Sequence, residues 1–177
     1  MQIILKAAYF AAKKHSKQRR KDRDATPYIN HPIEVAHTLA TVGKVKDLNL
    51  LAAALLHDTL EDTATGEDEI ELEFGPNVLS IVREVTDDKR LSKARRKRLQ
   101  VERAGKISAE AKQLKIADKI CNLKSLLNTP PEDWPRERIV DYFLWTMEVF
   151  NGLKGINSAL DVEFMRIFKE GEDKFKM

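Results

Sequence analysis

The residues with the most chemical potential stand together at the end of one apolar run, LLAAALLHDTLED, which closes on His57, Asp58, Glu61 and Asp62. On a continuous helix turning about 100° per residue, these four groups fall within an arc of about 140° and share a face. A helix that is apolar on most sides is normally buried. Its polar end must then be met by water, a counter-charge or a metal.

Two further residues could complete such a site. Asp118 lies in a second apolar stretch, between Leu114, Ala117 and Cys121, where an unpaired carboxylate would be costly. An ion pair with a Lys or Arg is one way to satisfy it. His31, in Tyr28-Ile-Asn-His-Pro32, stands at the mouth of a helix start and can point back into a core. Together His31, His57, Asp58 and Asp118 form a set of two imidazoles and two carboxylates. That set suits a divalent transition ion, and mixed nitrogen and oxygen ligation favours Mn, Fe or Zn over Mg or Ca. Glu61 and Asp62, one turn on, can accept a proton from water activated there, the alternative being helix-end carboxylates facing solvent. Acidic groups near a helix C-terminus oppose the macrodipole, so two of them in that place need a compensating reason. His15 and His37 are read as non-ligands.

Charge distribution adds a possible ligand class. The net charge is only +3, but basic residues bunch at Lys17 to Arg23 and at Lys89 to Arg98, and acidic ones at Glu61 to Glu73. The basic clusters could meet an anion, although Arg95 and Arg96 read better as a solvated helix face. A nucleic-acid-binding module with a structural HD helix is the competing class. It lacks a recognisable motif and any aromatic interleaving in either basic stretch.

The elements that must position these groups read as helices. Gly and Pro number 7 and 6, β-branched alternation is rare, and apolar residues recur at helical spacing, which predicts an all-α chain of one domain over 1–177. Ile3 to Ala11 mark a first helix that ends near Ser16, and Pro27 and Pro32 bound an irregular connection or a short β-hairpin near 18–30. A helix follows over Ile33 to Thr41. Asp47 can cap the central helix, expected to run unbroken to about Asp62. A short acidic helix ends at Gly75, and Pro76 opens another. Asp87 to Arg103 reads as a mobile or surface-lying charged segment. Ser108 caps a further buried helix, and after Pro130, Pro131 and Pro135 come an amphipathic helix from Arg136 to Gly152 and a last one carrying Leu160, Phe164, Ile167 and Phe168.

Composition excludes some classes. With 42% hydrophobic and 33% charged residues the chain is neither disordered nor fibrous. No run approaches the ~18 apolar residues of a membrane span, and no signal-peptide pattern opens the chain. The single cysteine, Cys121, reads as a buried apolar residue. A cytoplasmic location is expected from these features.

The longer motifs carry a resemblance. RRKD at 19–22, TPYINHPI at 26–33, ALLHDTLEDT at 54–63, EVTDDK at 84–89 and LKIADKICNL at 114–123 are similar to the hydrolase domain of RelA/SpoT proteins, in its small stand-alone metazoan form. That group lies within the HD-domain metal phosphohydrolases. The resemblance implies an HD-domain helical bundle that hydrolyses the alarmones ppGpp and pppGpp at the 3′ position to pyrophosphate and GDP or GTP. It implies one Mn2+ ion on His31, His57, Asp58 and Asp118, with Glu61 and Asp62 orienting or deprotonating the attacking water. It places Arg20 and Lys21 beside the nucleotide and Lys93 and Lys97 on phosphates. Asn122 and Tyr142 become substrate contacts, although Tyr142 could equally serve core packing. Removal of the 2′-phosphate of NADPH on the same site is the alternative reaction. No membrane partner is implied, and the oligomeric state is left open.

Overall fold

The computed structural model describes residues 1–22 and 24–177; Arg23, which closes the first basic cluster, lies outside the described residues. The described chain is helical throughout. In order it forms α1 (Gln2–Lys14), α2 (Asn30–Thr41), α3 (Leu48–Leu56), α4 (Thr59–Asp62), α5 (Glu67–Phe74), α6 (Pro76–Val85), α7 (Lys93–Arg103), α8 (Ala109–Asn128), α9 (Arg136–Leu153) and α10 (Ser158–Phe175). The expected hairpin reduces to one antiparallel bridge between Arg19 and Pro27. Flanking bonds from Arg20 N–H to the Thr26 carbonyl and from Tyr28 N–H to the Gln18 carbonyl hold that loop together.

Local chemistry explains most boundaries. Asp47 accepts the Asn49 N–H at 2.8 Å and opens α3, while Ser92, Ser108 and Asn157 cap α7, α8 and α10 in the same way. Pro76 sits in the first turn of α6, and the preceding Gly75, at φ 86°, makes the left-handed turn that ends α5.

α3 is the hub of the core. Ala52 to Leu56 are all buried, and the helix packs against α1, α2, α6 and α8. α8 is the second buried rod, contacting α2, α6, α9 and α10 as well. Its residues Ile116, Ala117, Ile120, Cys121 and Leu123 are fully buried, as expected of Cys121. On the far side α9 meets α10 through a stacked Phe150–Phe164 pair with centroids 3.9 Å apart. Gly171 lets Phe143 pack directly on the α10 backbone, since a Cβ there would fall 2.1 Å from the ring.

One expectation is corrected. The central helix does not run to Asp62: it stops at Leu56, and α4 starts afresh at Thr59. Side chains replace the missing backbone bonds, because His57 Nδ1 donates to the Ala54 carbonyl at 2.7 Å and Thr59 Oγ1 to the Leu56 carbonyl at 2.6 Å. The charged segment from 87 to 103, expected to be mobile or surface-lying, does lie on the surface, and as a helix. It contains three turns of helix, α7, which bury no residue and lie on α9. Among the described residues, no helix is long and apolar enough to cross a membrane.

Candidate metal centre and cleft

The break between α3 and α4 builds the site. It sets His57 and Asp58 in a turn at the inner end of the buried helix, opposite His31 in the first turn of α2 and Asp118 in the middle of α8. His31 Nε2 lies 3.1 Å from Asp118 Oδ1 and 3.9 Å from Asp58 Oδ2. His57 Nε2 lies 3.1 Å from Asp58 Oδ2 and 3.9 Å from Asp118 Oδ1. Donor atoms held ~2.1 Å from one shared ion stand about 3 Å apart when adjacent, so these spacings fit a common ion. His31, His57 and Asp118 supply three ligand atoms within 4.8 Å of one another, and Asp58 closes the ring.

The polar bookkeeping supports that fit. The Nδ1–H bond to Ala54 fixes the tautomer of the neutral His57 ring, so that Nε2, which faces inward, would carry the lone pair once its own proton is lost. Nε2 is buried and makes no hydrogen bond, an orphan that a metal would satisfy. Burial alone would push the His57 imidazole down, but the carboxylates of Asp58 and Asp118 outweigh it and raise it to about 9. Burial would likewise raise Asp58, yet His57 beside it holds the carboxyl well below the usual range.

Asp118 has the ion pair that a buried carboxylate calls for and still turns Oδ1 towards His31. Oδ2 receives Lys119 Nζ at 3.1 Å, and Oδ1, which faces His31, also receives Asn122 Nδ2 at 2.7 Å. Lys119 is itself buried, and Asp118 keeps its ammonium charged against that burial. Asn122, expected as a substrate contact, therefore first of all orients Asp118.

Glu61 and Asp62 are half-buried in the same cavity of about 190 Å³ rather than facing solvent. Their supposed conflict with a helix dipole disappears, because they sit in the single turn of α4 and not at the end of a long helix. The two are held differently. Asp62 is tied by Tyr28 Oη at 3.3 Å and by Lys89, and its carbonyl receives Gln18 Nε2. Glu61 receives one main-chain N–H, from Asp87 at 3.1 Å, and burial raises its pKa above that of an ordinary glutamate. The same Tyr28 hydroxyl donates to Asp58 Oδ2 at 2.7 Å.

Two neighbouring cavities open from this one. Arg20, Lys21 and Tyr142 line a cavity of about 260 Å³ that shares Tyr28 and Asn122 with the metal pocket. Lys21, Lys93, Lys97 and Tyr142 line another of about 390 Å³, which shares Glu61 and Asp87 with it. Every residue singled out from the sequence thus borders one branched cleft. Tyr142 lies on its wall, against Trp134 and Trp145.

Several residues of the cleft were not singled out. Tyr28 sits inside the TPYINHPI motif, and a tyrosine three residues before the candidate ligand His31 was the available signal. Lys115 and Lys119 flank Asp118 in sequence but read as the polar edge of an apolar helix. Arg96, read as solvated, is half-buried and borders the cleft. Asp87 and Gln100 had no signal in one-dimensional spacing. His15 lies outside the ring of candidate ligands, its Nδ1 hydrogen-bonded to Gln18 Oε1 at 2.6 Å. His37 is exposed.

Comparison with known proteins agrees with this geometry. The HD-domain family model matches residues 7–155. The guanosine-3′,5′-bis(diphosphate) 3′-pyrophosphohydrolase MESH1 of Xenopus tropicalis is 52% identical over 168 residues, covering 95% of this chain and 94% of that protein. Its Homo sapiens namesake is 52% identical over 167 residues, covering 94% and 93%. Among solved structures, a metazoan SpoT orthologue that hydrolyses ppGpp aligns with a TM-score of 0.93 at 44% identity over 96% of each chain. A Listeria monocytogenes protein aligns with a TM-score of 0.67 at 28% identity, covering 85% of this chain and 97% of its own.

Proposed function

This chain belongs to the HD-domain family, and from that premise we propose that it hydrolyses guanosine 3′,5′-bis(diphosphate) at the 3′ position, releasing pyrophosphate, with Mn2+ as its ion. The observation that carries this reading is the ring of His31, His57, Asp58 and Asp118, with a buried, unpaired Nε2 on His57. The names of relatives about half identical over nearly the whole chain supply the substrate.

A divalent transition ion on these ligands supplies Lewis-acid polarisation and lowers the pKa of water towards neutrality. The chain's own residues do the rest. Glu61 takes the water's proton, for which its raised pKa suits it, since a base works best when its pKa approaches the working pH. Asp62, pinned by Tyr28 and Lys89, accepts a hydrogen bond from the water and orients it. Lys93 and Lys97 on one wall and Arg20 and Lys21 on the other meet the two pyrophosphates, bringing the 3′ group to the metal pocket between them. The position of both basic clusters on this cleft favours a nucleotide over a nucleic acid as the anion they serve.

Pyrophosphate release from ppGpp, measured with purified protein and Mn2+, tests the reading; no release by metal-loaded protein overturns it. Asp58→Ala or Asp118→Ala should lose metal and activity together. Glu61→Ala should keep the metal and lose turnover by about 10²-fold or more, and normal turnover would remove Glu61 from the role of base.

A further inference from the structure

Glu61 and the phosphate-facing lysines belong to different elements, yet one chain of hydrogen bonds joins them. Glu61 Oε2 accepts the main-chain N–H of Asp87 at 3.1 Å. The Asp87 carboxylate in turn accepts from Gln100, Nε2 to Oδ2, at 2.6 Å. Gln100 is part of α7, where Lys93, Lys97 and Gln100 follow at i, i+4 and i+7 and so share one face. No residue of α7 is fully buried, and directed contacts such as this one join the packing of Val101 in holding it.

The Gln100 amide can point only one way. Turning it over would set its oxygen against the Asp87 carboxylate. In the observed orientation Nε2 faces Asp87, and the buried Oε1 has no partner within the protein.

We infer that Asp87 and Gln100 are positioning residues that couple the gripping of phosphate by α7 to the orientation of the Glu61 carboxylate. The inference rests on the proposed role of Glu61. When polyphosphate draws in Lys93 and Lys97, Gln100 moves with them on the same face. Asp87 follows through its carboxylate, and the main-chain N–H that orients Glu61 follows Asp87. A nucleotide that does not reach α7 would then bind without setting Glu61, and discrimination would appear in kcat.

Two measurements test this. In a double-mutant cycle with ppGpp and Mn2+, Gln100→Leu should lower kcat about tenfold, the size of one lost buried hydrogen bond, with bound metal and thermal midpoint unchanged. Lys97→Ala should then cost less kcat in the Gln100→Leu background than in the wild type; independent, multiplying losses overturn the coupling. Separately, inorganic pyrophosphate is titrated into metal-free, ¹⁵N-labelled protein. The Asp87 amide resonance should shift in the wild type and stay in place in Gln100→Leu, while α7 amides shift in both. An Asp87 amide that responds equally in both proteins or in neither, or α7 amides that do not respond, overturns it. If the wild type fails to hydrolyse ppGpp, the proposed function falls, and the pyrophosphate titration still decides the coupling.

Discussion

His57 makes two bonds with opposite demands on its protons. Nδ1 must keep its hydrogen to bond Ala54, while Nε2 must lose its own before it can ligate a metal. In protein stripped of metal by a chelator, Asp58 and Asp118 keep the imidazole charged up to about pH 9, against about 6.5 when unfolded. A folded-state pKa raised in this way stabilises the fold fully below pH 6.5 and is lost as pH climbs through 9. Lys115 has the opposite sign, because burial pushes its ammonium down to about 8, so its effect enters above that pH. Chelated protein should therefore lose thermal stability from pH 6.5 to 8, while its affinity for Mn2+ rises over the same range as the displaced proton becomes easier to remove. Calorimetry of metal-free samples and metal titrations at several pH values check both slopes, and a flat profile would mean that His57 is neutral without metal. All four ligands were legible as residue types in the sequence. Tyr28 was not, because its hydroxyl reaches Asp58 and Asp62 only once the loop before α2 has folded beneath them.

Periodicity misled at the end of α3, for a physical reason. Thr59 and Leu60 continue the apolar pattern, no Gly or Pro interrupts it, and nothing in the spacing shows that two side chains will take over the last carbonyls. The polar groups do converge, but through a turn and not along one helical face. α7 was obscured differently, since its charge hides a helix fixed by a Ser92 cap and by polar contacts beside the partly buried Val101. One such contact is Trp145 Nε1, which donates to the Lys97 carbonyl at 3.0 Å, with Lys97 Nζ 4.6 Å from the indole centroid. Trp145→Phe keeps a ring face and removes the donor. It should raise KM for ppGpp about fivefold, the equivalent of one hydrogen bond of about 1 kcal/mol, and leave the thermal midpoint nearly unchanged because α7 buries no core residue. Steady-state kinetics beside a melting curve distinguish this from general destabilisation, in which the midpoint would fall too.

Across the whole molecule, a net charge of +3 conceals a separation of sign that the fold turns into function. The carboxylates Asp58, Asp118, Glu61 and Asp62 meet at the floor of the cleft, while Arg20, Lys21, Lys93 and Lys97 stand on its walls. Segments distant in sequence make up each group, and α2, α3 and α8 packing as one core brings them together. A substrate with two pyrophosphates meets cations first and the metal ligands last. The wall groups border open cleft and are screened by salt over a Debye length of about 8–10 Å near 0.1–0.15 M, whereas the buried floor is screened far less. Raising ionic strength from about 0.05 to 0.5 M should therefore lower kcat/KM steeply. Lys93→Ala combined with Lys97→Ala should flatten that dependence by removing the charges being screened. Initial rates with ppGpp across a KCl series, in wild type and double variant, provide the check. A salt dependence as steep in the double variant as in the wild type would place the screened charges elsewhere than on Lys93 and Lys97.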